Sequence, residues 1–279
     1  MLVHTESKSL LLDLPDPLII QELIPKCKQV DIEGHNLAVY HGIDEVKVLR
    51  NMGIEAPSPI LHYYNWPGRH TPFAHQRDTS SMLTLNKRAF VLNETGTGKS
   101  KSALWAADYL MNLGLVRKCI IASKLSTLER VWMEEVFSTL MHRNAVVLHG
   151  NKERRLQRLN ADVDFYIINH EGLAVMQKEI KARKDIDLII CDEYSEYRNH
   201  TTGKFEVLDS ILTPKMRFWG MTATPCPNAP TDAYGLAKLI CPDRIPQYFG
   251  AFKRATMIQV TQYKWKPKPE AYDIAFTAM

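Results

Sequence analysis

The sequence predicts an α/β protein: a parallel central sheet with helices on both faces, preceded by a small α+β unit. Three observations carry this. From about residue 72, short runs rich in Val, Ile and Phe recur without polar alternation, the mark of strands buried on both faces. Longer amphipathic stretches separate them, and strand–helix alternation of this kind builds a parallel sheet. Between the two parts, residues 56–72 hold four prolines and several aromatics, which fits an ordered linker.

Taken in order, Ser9–Leu12 is a short apolar strand. Asp16 and Pro17 supply an N-cap and a first helical residue for a helix towards Lys28, which Pro25 distorts or shortens. Asn36–His41 reads as a strand, and Asp44 caps a helix to Met52 that Gly53 closes. The sheet is expected from Arg88–Leu92, Lys118–Ala122, Ala145–Leu148, Asp164–Ile168, Asp187–Cys191 and Met216–Met221. Helical patterns lie near 75–86, 99–113, 125–141, 151–159, 171–183, 203–212 and 230–240. The stretch 246–279, with Lys264-Trp265-Lys266-Pro267-Lys268-Pro269, reads as a stiff linker. The expected division is an accessory domain at 1–65, a main lobe at 66–245 and a linker at 246–279.

Composition narrows the function classes. With 45% hydrophobic and 24% charged residues, whole-chain disorder, collagen and coiled coil are excluded. No apolar run reaches the roughly 18 residues that span a bilayer, since Leu10–Ile20 is broken by Asp13, Pro15, Asp16 and Pro17. The first residues lack a basic segment followed by an apolar stretch and a cleavage site, so a cytoplasmic location is expected. Cys27, Cys119, Cys191, Cys226 and Cys241 form no C-x-x-C pair, which argues against zinc and disulfides. Residues 1–70 carry 6 basic and 9 acidic side chains, the remaining 209 carry 29 and 22. A positive main body suits a phosphate backbone, though solvated helix faces explain such a charge equally well.

The strongest local signal follows the strand Arg88–Leu92. Asn93-Glu94-Thr95-Gly96-Thr97-Gly98-Lys99-Ser100 then opens a helix, the context of a phosphate-binding loop. Gly96 and Gly98 let the backbone curl so that successive N–H groups face an anion, and Thr95 and Thr97 complete the curl. The helix start adds partial positive charge. Lys99 is suited to β- and γ-phosphate oxygens, and the Ser100 hydroxyl to a Mg²⁺ ion. The strict pattern wants Gly where this chain has Asn93. A second carboxylate is then needed at the end of another buried strand. Asp187–Cys191 runs into Asp192-Glu193. Asp192 would hold the metal and Glu193 would act as general base toward water.

With these residues in place, the chain resembles the superfamily-two helicases, in particular Swi/Snf-type DNA translocases. Asn93–Ser100 is similar to their first motif, which accounts for Asn93. Asp192-Glu193-Tyr194-Ser195 resembles their Asp-Glu-Ala-His box, with Tyr194 and Ser195 departing from it. Gly220-Met221-Thr222-Ala223-Thr224-Pro225 resembles the third motif, which implies that Thr222 and Thr224 couple nucleotide state to the DNA side; their hydroxyls would bond the acidic pair. Gln76 stands where the family reads adenine. Ser123–Trp132 resembles a DNA-gripping motif, with Lys124 where relatives have Pro, and implies contacts from Lys124, Ser126 and Thr127. Trp132 itself reads as core. Lys152, Arg154, Arg155 and Arg158 match a basic stretch in relatives, and Asn169-His170 a further DNA-side motif.

The resemblance implies a RecA-like P-loop NTPase lobe that uses ATP and Mg²⁺, acts on duplex or branched DNA and works with a second RecA-like lobe. Small phage-type members share the layout most, which implies a host-cell cytoplasm. No Gln-x-x-Gly-Arg-x-x-Arg motif occurs in the 279 residues, so no arginine finger is supplied and the isolated chain is expected to hydrolyse ATP weakly, as a fragment of a longer motor. The alternatives are an ATP-gated nucleic-acid-binding or regulatory module without turnover and, more distantly, a different P-loop enzyme such as a kinase.

Overall fold

The computed structural model describes residues 1–279, which divide into two compact units: 1–66 with 71–86, and 67–70 with 87–279.

The first unit is built on an antiparallel sheet of β1 (Leu2–His4), β2 (Ser9–Leu12), β3 (Lys28–Ile32) and β4 (His35–Tyr40), in the order β1-β2-β4-β3. Leu37 and Val39 alternate inward from β4 and are fully buried, as are Leu10 of β2 and, across them, Val46 and Leu49 of the helix Ile43–Asn51. Gly53, at φ 82°, closes that helix as expected. The helix opened by Pro17 stops at Leu23, ahead of Pro25, and Lys28 begins β3 instead of ending a helix. β3 is an edge strand with no buried residue, so it lacks the apolar signal that marks a strand in sequence. The helix Ala74–Leu85 groups with this unit, although the sequence reading placed it in the main lobe.

The second unit holds six parallel strands: β5 (Arg88–Val91), β6 (Lys118–Ser123), β7 (Ala145–Val147), β8 (Phe165–Asn169), β9 (Ile186–Asp192) and β10 (Arg217–Met221). Their order is β5-β10-β9-β6-β8-β7, and each lies close to its predicted bounds. Every residue of β8 and β10 is buried, which is why neither alternates. Cys119 and Cys191 are fully buried in the sheet, and burial pushes both thiols well up. Pro67–His70 docks on this unit, where Trp105 Nε1–H donates to the Pro67 carbonyl at 2.8 Å.

Three stretches differ from expectation: the helix expected over 171–183 is two, His170–Val175 and Gln177–Ala182. The helix expected over 125–141 is a 3-10 turn at Leu125–Thr127, a π-helical turn at Leu128–Met133 and an α-helix at Glu134–Thr139. The expected linker 246–279 forms a helix at Phe249–Thr256, a hairpin of β11 (Met257–Gln259) and β12 (Trp265–Pro267), and a helix at Ala271–Thr277. Phe252, Ala275 and Ala278 bury themselves against Ala233 and Tyr234, and Lys253 Nζ lies 4.1 Å from the Trp265 ring centre. The apolar face holds this stretch to the unit, and the cation–π contact ties its first helix to its hairpin. No helix is long and apolar enough to cross a membrane.

Candidate active site

Strand order assembles the site. In a parallel sheet every strand delivers its following loop to the same edge, and ligands bind outside the carboxyl ends. From β5 inward, that edge carries the loop 93–100, then Thr222–Thr224 after β10, then Asp192-Glu193 on β9. These segments, separated by up to about half the chain, line one cavity of about 430 Å³ with Thr95, Gly96, Gly98, Lys99, Ser100, Lys101, Glu135, Asp192, Glu193, Thr222, Ala223 and Thr224 on its walls. Beyond β9 the edge continues with Ser123-Lys124 after β6 and Asn169-His170 after β8.

The loop has the curl that its glycines were expected to allow. Gly96 has φ 79° and Gly98 φ 78°, both in the left-handed region. Gly98 starts the helix Lys99–Asn112, fourteen residues long, whose N-terminal amides and dipole favour an anion. Thr97 Oγ1 donates to the Glu94 carbonyl at 2.8 Å and tightens the turn. The Lys99 ammonium rests on two loop carbonyls, Asn93 at 2.9 Å and Glu94 at 2.8 Å. Both partners are neutral, so a phosphate oxygen can replace them with a stronger charge-assisted bond.

The two carboxylates are held differently. Asp192 Oδ2 accepts from Ser123 Oγ at 3.0 Å and from Trp132 Nε1–H at 3.0 Å. Its Oδ1 accepts the Glu193 backbone N–H at 3.0 Å. Trp132 is fully buried, so the core position read from sequence is correct, and its indole N–H also orients the acid. The π-helical turn containing Trp132 adds a residue per turn, which changes the face its side chains occupy relative to an α-helix. Glu193 sits at φ 50° in the left-handed region, a conformation that costs a non-glycine residue about 1 kcal/mol or more. Its Oε1 lies 3.6 Å from Lys124 Nζ.

Tyr194, where an alanine was the family's pattern, is fully buried; its ring meets Phe90 and Phe218, and its hydroxyl donates to the Leu236 carbonyl at 2.9 Å. A Cβ on Gly220 would come within 2.4 Å of that ring, so the glycine of the third motif makes room for the tyrosine. The bonds expected from Thr222 and Thr224 to the acidic pair are not the ones formed: Thr222 Oγ1 accepts the Thr224 backbone N–H at 3.1 Å. This closes the turn after β10 on itself.

The remaining candidates separate into open and committed groups. Lys124, Leu125, Ser126, His170, Glu171, Glu196 and Lys204 line a groove of about 450 Å³. Ser126 is exposed there, whereas Thr127 Oγ1 donates to the Lys124 carbonyl and lies 2.8 Å from Ser123 Oγ. Asn169 and His170 are 6% and 4% exposed, so both are largely enclosed, although His170 reaches the groove wall. Asn169 accepts from Arg155 at 3.1 Å and donates to Glu171 at 3.0 Å, while His170 Nδ1 pairs with the Tyr197 hydroxyl at 3.1 Å. Burial pushes the His170 pKa down. Arg155 is buried on the Leu148 and Gly150 carbonyls, so the basic stretch 152–158 is in part structural. Gln76 belongs to the first unit, where its Oε1 accepts the Phe73 N–H at 3.0 Å. Sequence reasoning missed Ser123 as a brace on Asp192, and Lys101 and Glu135, which pair at 3.7 Å on the cavity wall.

Comparison with known proteins adds the family. Residues 28–270 match the SNF2-related domain. Among solved structures, the chain is similar to the Sulfolobus solfataricus SWI2/SNF2 ATPase core in complex with dsDNA, at a TM-score of 0.59 and 17% identity over 68% of this chain and 39% of that one. It is similar also to the Sulfolobus solfataricus SWI2/SNF2 ATPase core domain, at a TM-score of 0.55 and 18% identity over 68% and 38%. It therefore spans well under half the length of these solved chains. No curated protein matches it. A family match that covers residues 28–270, well over half of the sequence, makes this chain a member of the SNF2-related family.

Proposed function

We propose that this chain is the ATP-binding lobe of a DNA-dependent ATPase that moves along or remodels DNA. The carrying observation is the convergence of the 95–101, 192–193 and 222–224 segments on one cavity at the carboxyl edge of the sheet. Of the two solved relatives, one holds dsDNA, which supports DNA as the polymer.

The chemistry follows from the groups present. Amides of the curl at 96–100 receive phosphate oxygens, and Lys99 exchanges its two carbonyl partners for them. Ser100 and Asp192 offer oxygen donors that suit Mg²⁺, and Asp192 is pre-aimed because Ser123 and Trp132 hold its other oxygen. When bound, that ion neutralises charge on the transferring phosphoryl group. Glu193 takes a proton as a water oxygen bonds to the γ-phosphorus and the bond to the β-bridging oxygen breaks, leaving ADP and phosphate. Thr222 and Thr224 relay the nucleotide state along the edge. Lys124, Ser126 and Thr127 face the DNA side, and Asn169 and His170 support that surface from beneath. Gln76 is assigned to adenine by motif order.

Steady-state ATP hydrolysis with and without duplex and branched DNA tests the reading. Slow turnover by the isolated chain, raised by DNA and removed by Glu193→Gln with nucleotide binding retained, is expected. Hydrolysis unaffected by Glu193→Gln would contradict it, and full DNA-stimulated turnover by this chain alone would contradict the dependence on a second lobe.

A further inference from the structure

The adjoining strands β9 and β6 create a contact that the function above does not require. Ala122 pairs with Cys191, so the next positions bring Ser123 beside Asp192 and Lys124 beside Glu193. Both juxtapositions are made: Ser123 bonds Asp192 at 3.0 Å and Lys124 Nζ lies 3.6 Å from Glu193 Oε1. Lys124 lines the groove, and Glu193 lines the cavity. The ion pair thus spans the partition between the two.

The charges around Lys124 decide how readily it can change partner. In the groove, Glu171 and Glu196 are both engaged by Lys204, at 2.9 and 3.2 Å. Lys204 is therefore held twice at short distance. Lys124 has one longer ion-pair contact, and both it and Glu193 are about half exposed, at 50% and 41% of their side chains. An exposed pair of this kind contributes little, so a polyanion entering the groove meets Lys124 as its most loosely held cation. His170, the remaining titratable group of the groove wall, is buried and directed to Tyr197.

We propose that Lys124 is a phosphate-responsive latch on Glu193. With the groove empty, Lys124 draws the Glu193 carboxylate away from the attacking water. A phosphodiester of the DNA backbone that takes Lys124 frees Glu193 for the cavity. The coupling is reciprocal: whatever removes the Glu193 charge leaves Lys124 free and tightens DNA binding. This rests on the function proposed above, and it places a DNA sensor one residue from the strand that carries the metal-site brace.

The test uses this chain and a fluorescein-labelled duplex of mixed sequence, with binding read by anisotropy across a salt series. Wild type, Glu193→Gln, Lys124→Ala and the double variant form a cycle. Glu193→Gln should bind DNA about 1.5- to 5-fold more tightly than wild type. In the Lys124→Ala background the same change should give less than half of that gain on a logarithmic scale. Lys124→Ala should lower the slope of log affinity against log salt by about 0.9, one phosphate contact, and Lys124→Arg should restore it. A Glu193→Gln gain that is absent, or equal in both backgrounds, would overturn the latch while leaving the function standing, as would a salt slope indifferent to Lys124. No DNA binding by wild type would overturn the function proposed above and the latch with it. Both side chains are about half exposed and neither is in the core, so the variants are expected to keep the fold, which circular dichroism checks.

Discussion

The two edges of the same parallel sheet differ in what their charges are doing. At the amino edge, a cavity of about 640 Å³ is walled by Arg117, Lys181, Arg183, Lys184, Asp187, Lys215 and apolar neighbours. Its arginines are matched: Arg117 forms a two-pronged bond to Asp187 at 2.8 Å on each side, and Arg183 meets Asp185 at 2.6 Å. At the carboxyl edge the cavity is smaller, about 430 Å³, yet Lys99 rests on neutral carbonyls and the glycine curl leads into a helix N-terminus. Volume alone would favour the amino edge. An arginine already paired to a carboxylate must lose that pair to take an anion, whereas a lysine on carbonyls exchanges a weak bond for a strong one.

The comparison can be broken in several places. Lys99→Ala should weaken Mg–ATP binding about 100-fold, the cost of removing one member of a desolvated charge pair, while Arg117→Ala leaves it within about twofold; calorimetric titration reads both. Equal losses would erase the distinction between the edges. Gly220→Ala forces a Cβ to within 2.4 Å of the Tyr194 ring and should cost about 2 kcal/mol of stability in urea unfolding; no loss would show that Gly220 is not needed to make room for that ring. Trp132→Phe keeps an apolar ring but removes the N–H on Asp192, and should lower Mg²⁺ affinity in the nucleotide complex about 10-fold. The smallest effect lies in the groove. Lys204, with the Glu171 backbone and Asn169, holds the Glu171 carboxyl down at about 2. A carboxyl lowered on folding stabilises above its ordinary value near 4.5 and loses that contribution as pH falls from there through 2. Lys204→Met should move the Glu171 titration, followed by carboxyl NMR, up toward that ordinary value, and an unmoved titration would exclude Lys204 as the main cause.

The same contrast explains what could be read in the sequence. The strands of the main sheet were legible because burial on both faces leaves runs such as Leu188–Cys191 with nothing polar in them. The glycine curl at 96–98 was legible because closely spaced glycines between a strand and a helix permit left-handed backbone there. What escaped depends on strand order, which local pattern does not contain. Trp132 and Asp192 are sixty residues apart, and Lys124 meets Glu193 only because β6 lies next to β9. β3 escaped for the opposite reason, since an exposed edge strand has no apolar pattern to read. In the stretch 246–279, the run of lysines and prolines drew attention from Phe252, Ala275 and Ala278, whose burial against Tyr234 folds it back. The burial of Asn169 and His170 was not legible, because a polar residue at a strand end can equally close a network beneath the surface.

Amide chemical-shift mapping of the chain titrated with Mg–ATP tests the central claim most directly. The account predicts that the largest shifts fall on Gly96, Gly98, Lys99 and Ser100, with Asp192, Glu193 and Thr222 moving across the cavity. Shifts gathered at Lys181, Lys184 and Lys215 instead, or none at saturating nucleotide, would contradict it.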